Sequence, residues 1–142
     1  MKYIYLRGQS LFEVMFAIGI AALVLIAIVS LSTRAVKTSD FSRNNSLASK
    51  YAQEGAEWVR QQRDELWANL TGQPQNSDIN LGTIGSWGSA NPILNTVFYR
   101  TVRLVPNASP PTSYVVIVKV TWEDGSGQHE VSNSTKLTNW RM

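Results

Sequence analysis

"RGQSLFEVMFAIGIAALVLIAIVSLSTR", residues Arg7–Arg34, is the stretch that decides how this chain is organised. Its eighteen residues from Val14 to Leu31 carry no charge, and a helix needs about 17–25 residues to cross the hydrocarbon core of a bilayer. One carboxylate, Glu13, stands just before this apolar run, and Gly8 precedes that carboxylate by five positions. The stretch therefore predicts a membrane-spanning helix that begins beside an acid and is preceded by a glycine.

The overall composition limits what the remainder of the chain can be. The protein has 142 residues, a formal net charge of +3 and no cysteine. That length corresponds to one domain, and the apolar run takes up enough of it that the remaining hydrophobic core must be small. The absence of cysteine excludes a disulfide framework and thiolate metal sites, and the lack of a Lys/Arg cluster argues against a nucleic-acid partner.

Two ordinary explanations exist for the apolar run. The first is a plain transmembrane anchor, whose orientation the flanking charges leave open because basic residues stand on both sides of it. These basic residues are Lys2, Arg7, Arg34 and Lys37. The second is a secretory signal peptide that is cleaved before Thr33, after the small-x-small site Ser30-Leu31-Ser32. The apolar region of a signal peptide usually spans about 7–15 residues, so this run is longer than that explanation predicts.

A third explanation takes the glycine and the acid together. The segment GQSLFEV, Gly8–Val14, resembles the class III signal of type IV pilins and of the pseudopilins of type II secretion. The resemblance implies that a prepilin peptidase cuts after Gly8 and methylates the new N-terminus at Gln9. Residues 1–8 are then a leader peptide, and Glu13 is the fifth mature residue, where the family has its glutamate.

Glu13 has two candidate roles, which are compatible with each other. With Ser10 it forms a Ser-x-x-Glu capping box, in which Ser10 is the helix N-cap and the glutamate accepts a hydrogen bond from the serine N–H. As an assembly residue, Glu13 would pair with the α-amino group of Gln9 in a neighbouring subunit. A charge in a membrane helix costs about 2.5–3.5 kcal/mol at the bilayer centre and less near the interface, so such residues are usually kept for a partner.

Helical spacing continues beyond the apolar run. We predict one helix from about Leu11 to about Leu70, with a transmembrane half over residues 9–33 and an amphipathic half over residues 34–70. Apolar or small residues recur along the second half: Phe41, Ala48, Ala52, Gly55, Ala56, Val59, Leu66 and Leu70. Small residues favour close packing, so we expect this stripe to pack on a sheet of the same chain. The alternative is a two-stranded coiled coil.

The C-terminal part predicts a small antiparallel sheet. Residues 71–96 are rich in glycine and proline and show no periodicity, which predicts a connecting loop. Three alternating segments follow within residues 97–142: Val97–Val105, Tyr114–Trp122 and Val131–Leu137. The predicted fold class is therefore α+β, a long N-terminal helix packed on a three-stranded antiparallel sheet. The end of the chain also resembles minor pilins and minor pseudopilins.

Residues suited to catalysis are sparse. The single histidine, His129, falls in the hairpin turn predicted over Glu123–His129, where it would be exposed to solvent. One exposed histidine supports neither a catalytic triad nor a metal site. The sequence therefore predicts that the protein is not an enzyme and uses no metal or other cofactor.

The leading hypothesis is a structural function. The resemblance implies a single-pass protein of the bacterial inner (cytoplasmic) membrane, with its C-terminal domain outside the cytoplasm, that is later built into a filament at the cell surface. Its partners would be the prepilin peptidase, other pilin or pseudopilin subunits, the inner-membrane assembly platform and membrane lipid. The rival hypothesis is a membrane-anchored or secreted β-domain that binds a ligand and does not assemble.

Two departures from the family pattern favour a minor subunit over the principal one. The membrane helix lacks the family's usual proline, and the chain lacks the cysteine pair of many pilus subunits. Edge strands of the small sheet would pair with other minor subunits, with Trp122 and Trp140 in or beside those contacts. The alternative for Trp122 is a place in the hydrophobic core.

Overall fold

The structure, a computed structural model, describes the backbone of residues 9–140 and the side chains of residues 11–140. Within these residues the chain forms two helices and four strands. They are α1 (Gln9–Glu65), α2 (Ala68–Thr71), β1 (Asp78–Asn80), β2 (Tyr99–Pro106), β3 (Ser113–Asp124) and β4 (Gly127–Thr138). The chain divides into two compact units, which we call unit 1, up to Ser42, and unit 2, from Arg43 onward.

Helix α1 contributes residues to both units because nothing in its sequence interrupts it. No proline occurs between Gln9 and Glu65, so every position can donate its backbone N–H to the helix. The helix ends at Glu65, and the short helix α2 follows almost directly. Leu70 of α2 is fully buried and anchors this end of the helical region in the core of unit 2.

The sheet of unit 2 has four antiparallel strands in the order β1-β2-β3-β4. The α+β fold class is confirmed, but the prediction of three strands was wrong, because β1 lies in the stretch that was predicted to be a loop. With three residues and one buried side chain, Ile79, this strand is too short to show alternation in the sequence. Pairing with β2 holds it in place, and the Asp78 carboxylate accepts a hydrogen bond from Arg103 Nε at 2.7 Å.

Strands β3 and β4 form a long hairpin with a tight turn. They pair without interruption up to Asp124 and Gly127, so only Gly125 and Ser126 form the turn. The N–H of Ser126 donates to Asp124 Oδ1 at 2.7 Å. Gly127 has a φ of +122°, a backbone conformation that suits glycine because a Cβ would be strained there.

The core of unit 2 lies between the inner face of the sheet and the second part of α1. The alternation predicted over Tyr114–Trp122 is confirmed, since every second residue of that segment is at most 1% exposed: Tyr114, Val116, Val118, Val120 and Trp122. On the helix, the buried members of the predicted stripe are Ala48, Ala52, Gly55, Ala56 and Val59. Phe41 and Leu66 are exposed instead, because Phe41 belongs to unit 1 and Leu66 lies beyond the end of α1.

Glycine at position 55 allows α1 to approach the sheet closely. A Cβ added to Gly55 would lie 2.9 Å from Val118 Cγ1 and 3.1 Å from Arg100 Cδ. Both of these neighbours are almost completely buried, so they have little freedom to move aside. The distance between helix and sheet therefore depends on the absence of a side chain at Gly55.

We expect Gly55→Ala to destabilise unit 2, although alanine favours a helix over glycine by about 1 kcal/mol. Overpacking of a core costs about 1–3 kcal/mol, so the net loss in the free energy of unfolding should be about 1 kcal/mol. The measurement is urea unfolding of the full chain in detergent, followed by tryptophan fluorescence. All five tryptophans lie in unit 2, so the signal reports that unit.

The control for this prediction is Val118→Ala, which removes the methyl group that the new Cβ would meet. In the Val118→Ala background, Gly55→Ala should cost clearly less than it does in the wild-type chain. Equal costs in the two backgrounds would contradict the close approach at this position.

Candidate functional site

The first part of α1, from Leu11 to Leu31, has apolar side chains on all sides and Glu13 as its one charged residue. Every residue from Leu11 to Ser42 is exposed, and the large apolar side chains between Leu11 and Leu31 are 48–75% exposed. Such a surface is costly in water, because removing apolar area from water is worth about 25 cal/mol per Å². Among the described residues, α1 is the helix that is long and apolar enough to cross a membrane. We call residues 11–31 the apolar segment.

The hydroxyl of Thr33, two residues after the apolar segment, finds its hydrogen-bond acceptor within the helix. Thr33 Oγ1 donates a hydrogen bond to the carbonyl of Val29 at 2.9 Å, which is the way a hydroxyl is accommodated where no water is present. Gly19 lies within the segment, and apart from its two chain neighbours and the adjacent backbone of its own helix, no described atom comes within 4 Å of the position its Cβ would take. The chain's own packing therefore gives no reason for a glycine at position 19.

The predicted processing and assembly residues lie at the start of α1. Glu13 is exposed, and no side chain within residues 11–140 forms a hydrogen bond or ion pair with it. Gly8 lies outside the described residues. Gln9 and Ser10 have helical backbone, but their side chains are also outside the description. Cleavage after Gly8, methylation of Gln9 and the Ser10 cap therefore stay predictions.

Arg100 is the important buried residue that the sequence reasoning missed. It is 1% exposed and lies on the inner face of β2. Its Nε donates to the carbonyl of Leu81 at 2.7 Å, and its Nη1 donates to the carbonyl of Tyr51 at 3.0 Å. The alternation of Phe98 and Val102 in the sequence places Arg100 on the same face as both of them. The guanidinium therefore joins α1, β2 and the chain that follows β1.

The charge of Arg100 is balanced by Glu54 of α1. Arg100 Nη1 lies 3.2 Å from Glu54 Oε2, and the Glu54 side chain is half exposed. Burial lowers the pKa of Arg100, and the hydrogen bond and negative charge of Glu54 oppose that effect. Because water screens a half-exposed carboxylate, we infer that the two backbone carbonyls hold the guanidinium more firmly than the ion pair does.

A shallow groove on the outer face of the sheet contains a cluster of charges. The Asp78 carboxylate lies 2.7 Å from Arg103 Nε and 3.8 Å from Lys119 Nζ, and Ile117 forms the apolar wall. The hydrogen bond from Arg103 is the main cause that lowers the pKa of Asp78. A carboxylate that two cations keep ionised suits a structural ion pair and not a general acid at neutral pH.

The prediction that His129 lies in an exposed turn was wrong. His129 belongs to β4, where it pairs with Trp122, and the centroids of the two rings are 5.3 Å apart. Its Nε2 lies 3.0 Å from Asp124 Oδ1. The N–H of Ser126 and then His129 lower the pKa of Asp124. The physical reason for the error is the two-residue turn, which leaves His129 within the paired part of the hairpin.

The two tryptophans expected at subunit contacts occupy different environments. Trp122 is 1% exposed and belongs to the hydrophobic core, which confirms the alternative given for it from the sequence. Trp140 is 59% exposed, and its Nε1 donates to Asp64 Oδ1 at 3.3 Å. It lines a small groove together with Arg63 and Trp67. The rings of Trp67 and Trp140 line this groove, and the Asp64 carboxylate beside it already accepts the hydrogen bond from Trp140.

The side chains of residues 11–140 contain no group of three or more His, Cys, Asp or Glu that is arranged to hold a metal ion. The charged clusters at Asp78 and Asp124 are pairs of opposite charge on the sheet and its hairpin. The feature best suited to a function is therefore the apolar segment with Glu13 at its edge.

Comparison with known proteins adds no assignment. No family model, curated protein or solved structure matches the chain. The structure itself establishes a long N-terminal helix, apolar in its first part, and an antiparallel sheet against which its second part packs. This architecture is compatible with a pilin-like fold.

We expect Arg100→Met to lower the free energy of unfolding of unit 2 far more than Glu54→Gln does. Removing the guanidinium leaves the carbonyls of Leu81 and Tyr51 without their donor, and a hydrogen bond to a charged group contributes about 1.5–3 kcal/mol. Loss of a half-exposed ion pair costs at most about 1 kcal/mol. Urea unfolding followed by tryptophan fluorescence measures both variants, and equal losses would show that the ion pair dominates.

Proposed function

We propose that this chain is a structural subunit of a type IV pilus or of a type II secretion pseudopilus. It is made as a precursor with residues 1–8 as its leader, and a prepilin peptidase cuts after Gly8. The inner membrane holds the mature chain through the apolar segment until an assembly platform adds it to a filament. In this proposal the protein acts by packing against other subunits, and it is not an enzyme.

The observation that carries the proposal is the contrast between the two units. Unit 2 has its own hydrophobic core, whereas every described side chain of unit 1 is exposed, large apolar ones included. A helix that is apolar on all sides suits a bilayer, and it suits a bundle of similar helices equally well. Those are the two environments that a filament subunit occupies in turn.

Glu13 gives the assembly step a specific residue. Its carboxylate is exposed at the start of the apolar segment and has no partner among the described side chains. Removal of the leader would create an α-amino group at Gln9, and the Gln9 amine of a neighbouring subunit would supply the missing positive charge. The pair would also fix the axial position of one helix against the next.

The rank we propose within the filament is that of a minor subunit. A subunit repeated along a fibre has to fit identical neighbours above and below, whereas a scarce one has to fit only a few partners. The helix runs through the apolar segment without the proline that the family usually has, and the chain has no cysteine pair. Both departures are easier to accommodate at a few positions than along a whole fibre.

The N-terminus of the protein in cells tests the proposal against its rivals. In bacteria that contain a prepilin peptidase, we expect mass spectrometry to find a chain that begins at methylated Gln9. Gly8→Leu should leave an uncut precursor in the membrane, because the peptidase needs close approach to the backbone at the cleavage site. A chain that begins at Met1 would support a plain anchor, and one that begins at Thr33 would support ordinary secretion.

The matched control is Gly19→Leu, which changes the other glycine near the N-terminus to the same residue. Beyond its chain neighbours and the adjacent helix backbone, no described atom approaches the Cβ position of Gly19, so this variant should still be cut after Gly8. Normal cutting of Gly8→Leu, or a failure of both variants to be cut, would argue against a specific cleavage site at Gly8.

We expect Glu13→Gln to be cut and inserted normally but to enter filaments several-fold less than the wild-type chain. Glutamine keeps the hydrogen bonds of a capping box but loses the charge that an intersubunit pair requires. The measurement compares the variant's amount in sheared filaments with its amount in the membrane fraction. Wild-type incorporation of Glu13→Gln, with a defect only in Glu13→Ala, would support the capping role alone.

A further inference from the structure

The outer edge of β4 is long and open. The strand has twelve residues, Gly127–Thr138, and its pairing with β3 has neither a bulge nor a gap. It contains no proline, and no described strand lies beyond it in the sheet. The opposite edge is only the three residues of β1. Proteins usually shorten, bend, cover or charge an edge strand to prevent pairing with another chain. Within the described residues β4 is neither shortened, bent nor covered, and its exposed charges are those of Glu130 and Lys136.

The hydrogen-bond pattern of the hairpin determines which backbone groups β4 leaves free. In a hairpin with a two-residue turn, the closing pair, here Asp124 and Gly127, is hydrogen-bonded, and the bonded pairs then alternate along the strands. The odd-numbered residues of β4 therefore bond to β3. The even-numbered residues direct their N–H and C=O groups outward, and all of them have exposed side chains: Gln128, Glu130, Ser132, Ser134, Lys136 and Thr138.

The charges of β4 are arranged symmetrically about Asn133. Glu130 and Lys136 each lie three residues from it, and the residues between them carry no charge. In an antiparallel pair of two β4 strands centred on Asn133, Glu130 of each copy lies opposite Lys136 of the other. The same register places Ser132 opposite Ser134. It therefore matches outward-directed backbone groups with outward-directed groups, and each acid with a base.

We propose that the edge of β4 is an interface with β4 of a second copy of this chain, paired antiparallel about Asn133. The backbone hydrogen bonds between the even-numbered residues hold the two strands together, and the two Glu130–Lys136 pairs fix the register. The two sheets then continue through the interface as one.

The symmetry of this pairing restricts where it can occur. Its two-fold axis is perpendicular to the sheet, so residues Arg43–Glu65 of α1, which lie against the sheet, run in opposite directions in the two copies. Subunits that lie side by side in one filament have helices that run in the same direction. The β4 pair therefore joins copies from different filaments or copies outside a filament, and the inference does not depend on the proposed function.

Cysteine cross-linking of the full chain in detergent tests the register. The chain has no cysteine, so each variant carries one thiol. At Asn133 the two Cα atoms would lie about 4.5 Å apart, within disulfide range, whereas at Ser132 they would lie about 8 Å apart. We expect mild oxidation to give several-fold more dimer with Asn133→Cys than with Ser132→Cys, although Ser132 is the more exposed residue.

Further variants in the Asn133→Cys chain test separately the Glu130–Lys136 ion pairs and the backbone hydrogen bonds between the two β4 strands. Glu130→Lys should lower the dimer yield several-fold, and the addition of Lys136→Glu should restore it. Ser134→Pro should also lower the yield but keep the urea midpoint of unit 2, because the N–H of Ser134 points away from β3.

If Ser134→Pro shifts the urea midpoint of unit 2, that variant has disturbed the fold, and the Glu130→Lys and Lys136→Glu variants alone decide whether two β4 strands pair. Equal yields at positions 132 and 133 would overturn the proposal, as would a dimer yield that Glu130→Lys does not change. A chain that stays monomeric on oxidation would also overturn it and would leave the β4 edge to a strand of a different protein.

Discussion

The organisation of unit 2 depends on the contact between Gly55 of α1 and Arg100 of β2. Without a side chain at Gly55, the helix lies close enough to the sheet for the guanidinium to reach the carbonyl of Tyr51. The same guanidinium donates to the carbonyl of Leu81, after β1. A buried cation is tolerated only when its acceptors are present, so helix, central sheet and edge strand are stable together and each is compromised without the others.

The two units differ in whether the chain itself buries their apolar side chains. Unit 2 buries its apolar side chains within the chain, with aromatic contacts such as Trp58 on Trp87 at 4.7 Å closing the loop over the helix. Unit 1 leaves its apolar side chains outward and depends on its surroundings to cover them. Because the core of unit 2 uses no described side chain of unit 1, its packing does not depend on what surrounds the apolar segment.

Periodicity predicted the long elements well and the short ones poorly. The strict alternation from Tyr114 to Trp122 identified a buried face because five side chains repeat one pattern, and the small residues of α1 identified its packing stripe. Strand β1 has three residues and gave no pattern, since its position depends on pairing with β2 and on Arg103.

Arg100 was missed because a charged residue within an apolar face looks like an exception until its acceptors, which lie far away in the sequence, are known. The role of Glu13 depends on another molecule, so the sequence supports it only by resemblance.

The small residues of the packing stripe also matter while the protein is being synthesised. Residues Ala48 to Val59 of α1 leave the ribosome long before β3, the strand whose face they will contact, so the stripe first meets water uncovered. Its alanine and glycine positions present little apolar area, so the large apolar side chains that this stretch offers to other unfinished chains are mainly those of Tyr51, Trp58 and Val59. A helix with leucine at these positions would bind its sheet no more closely, and during translation it would aggregate more readily with its neighbours.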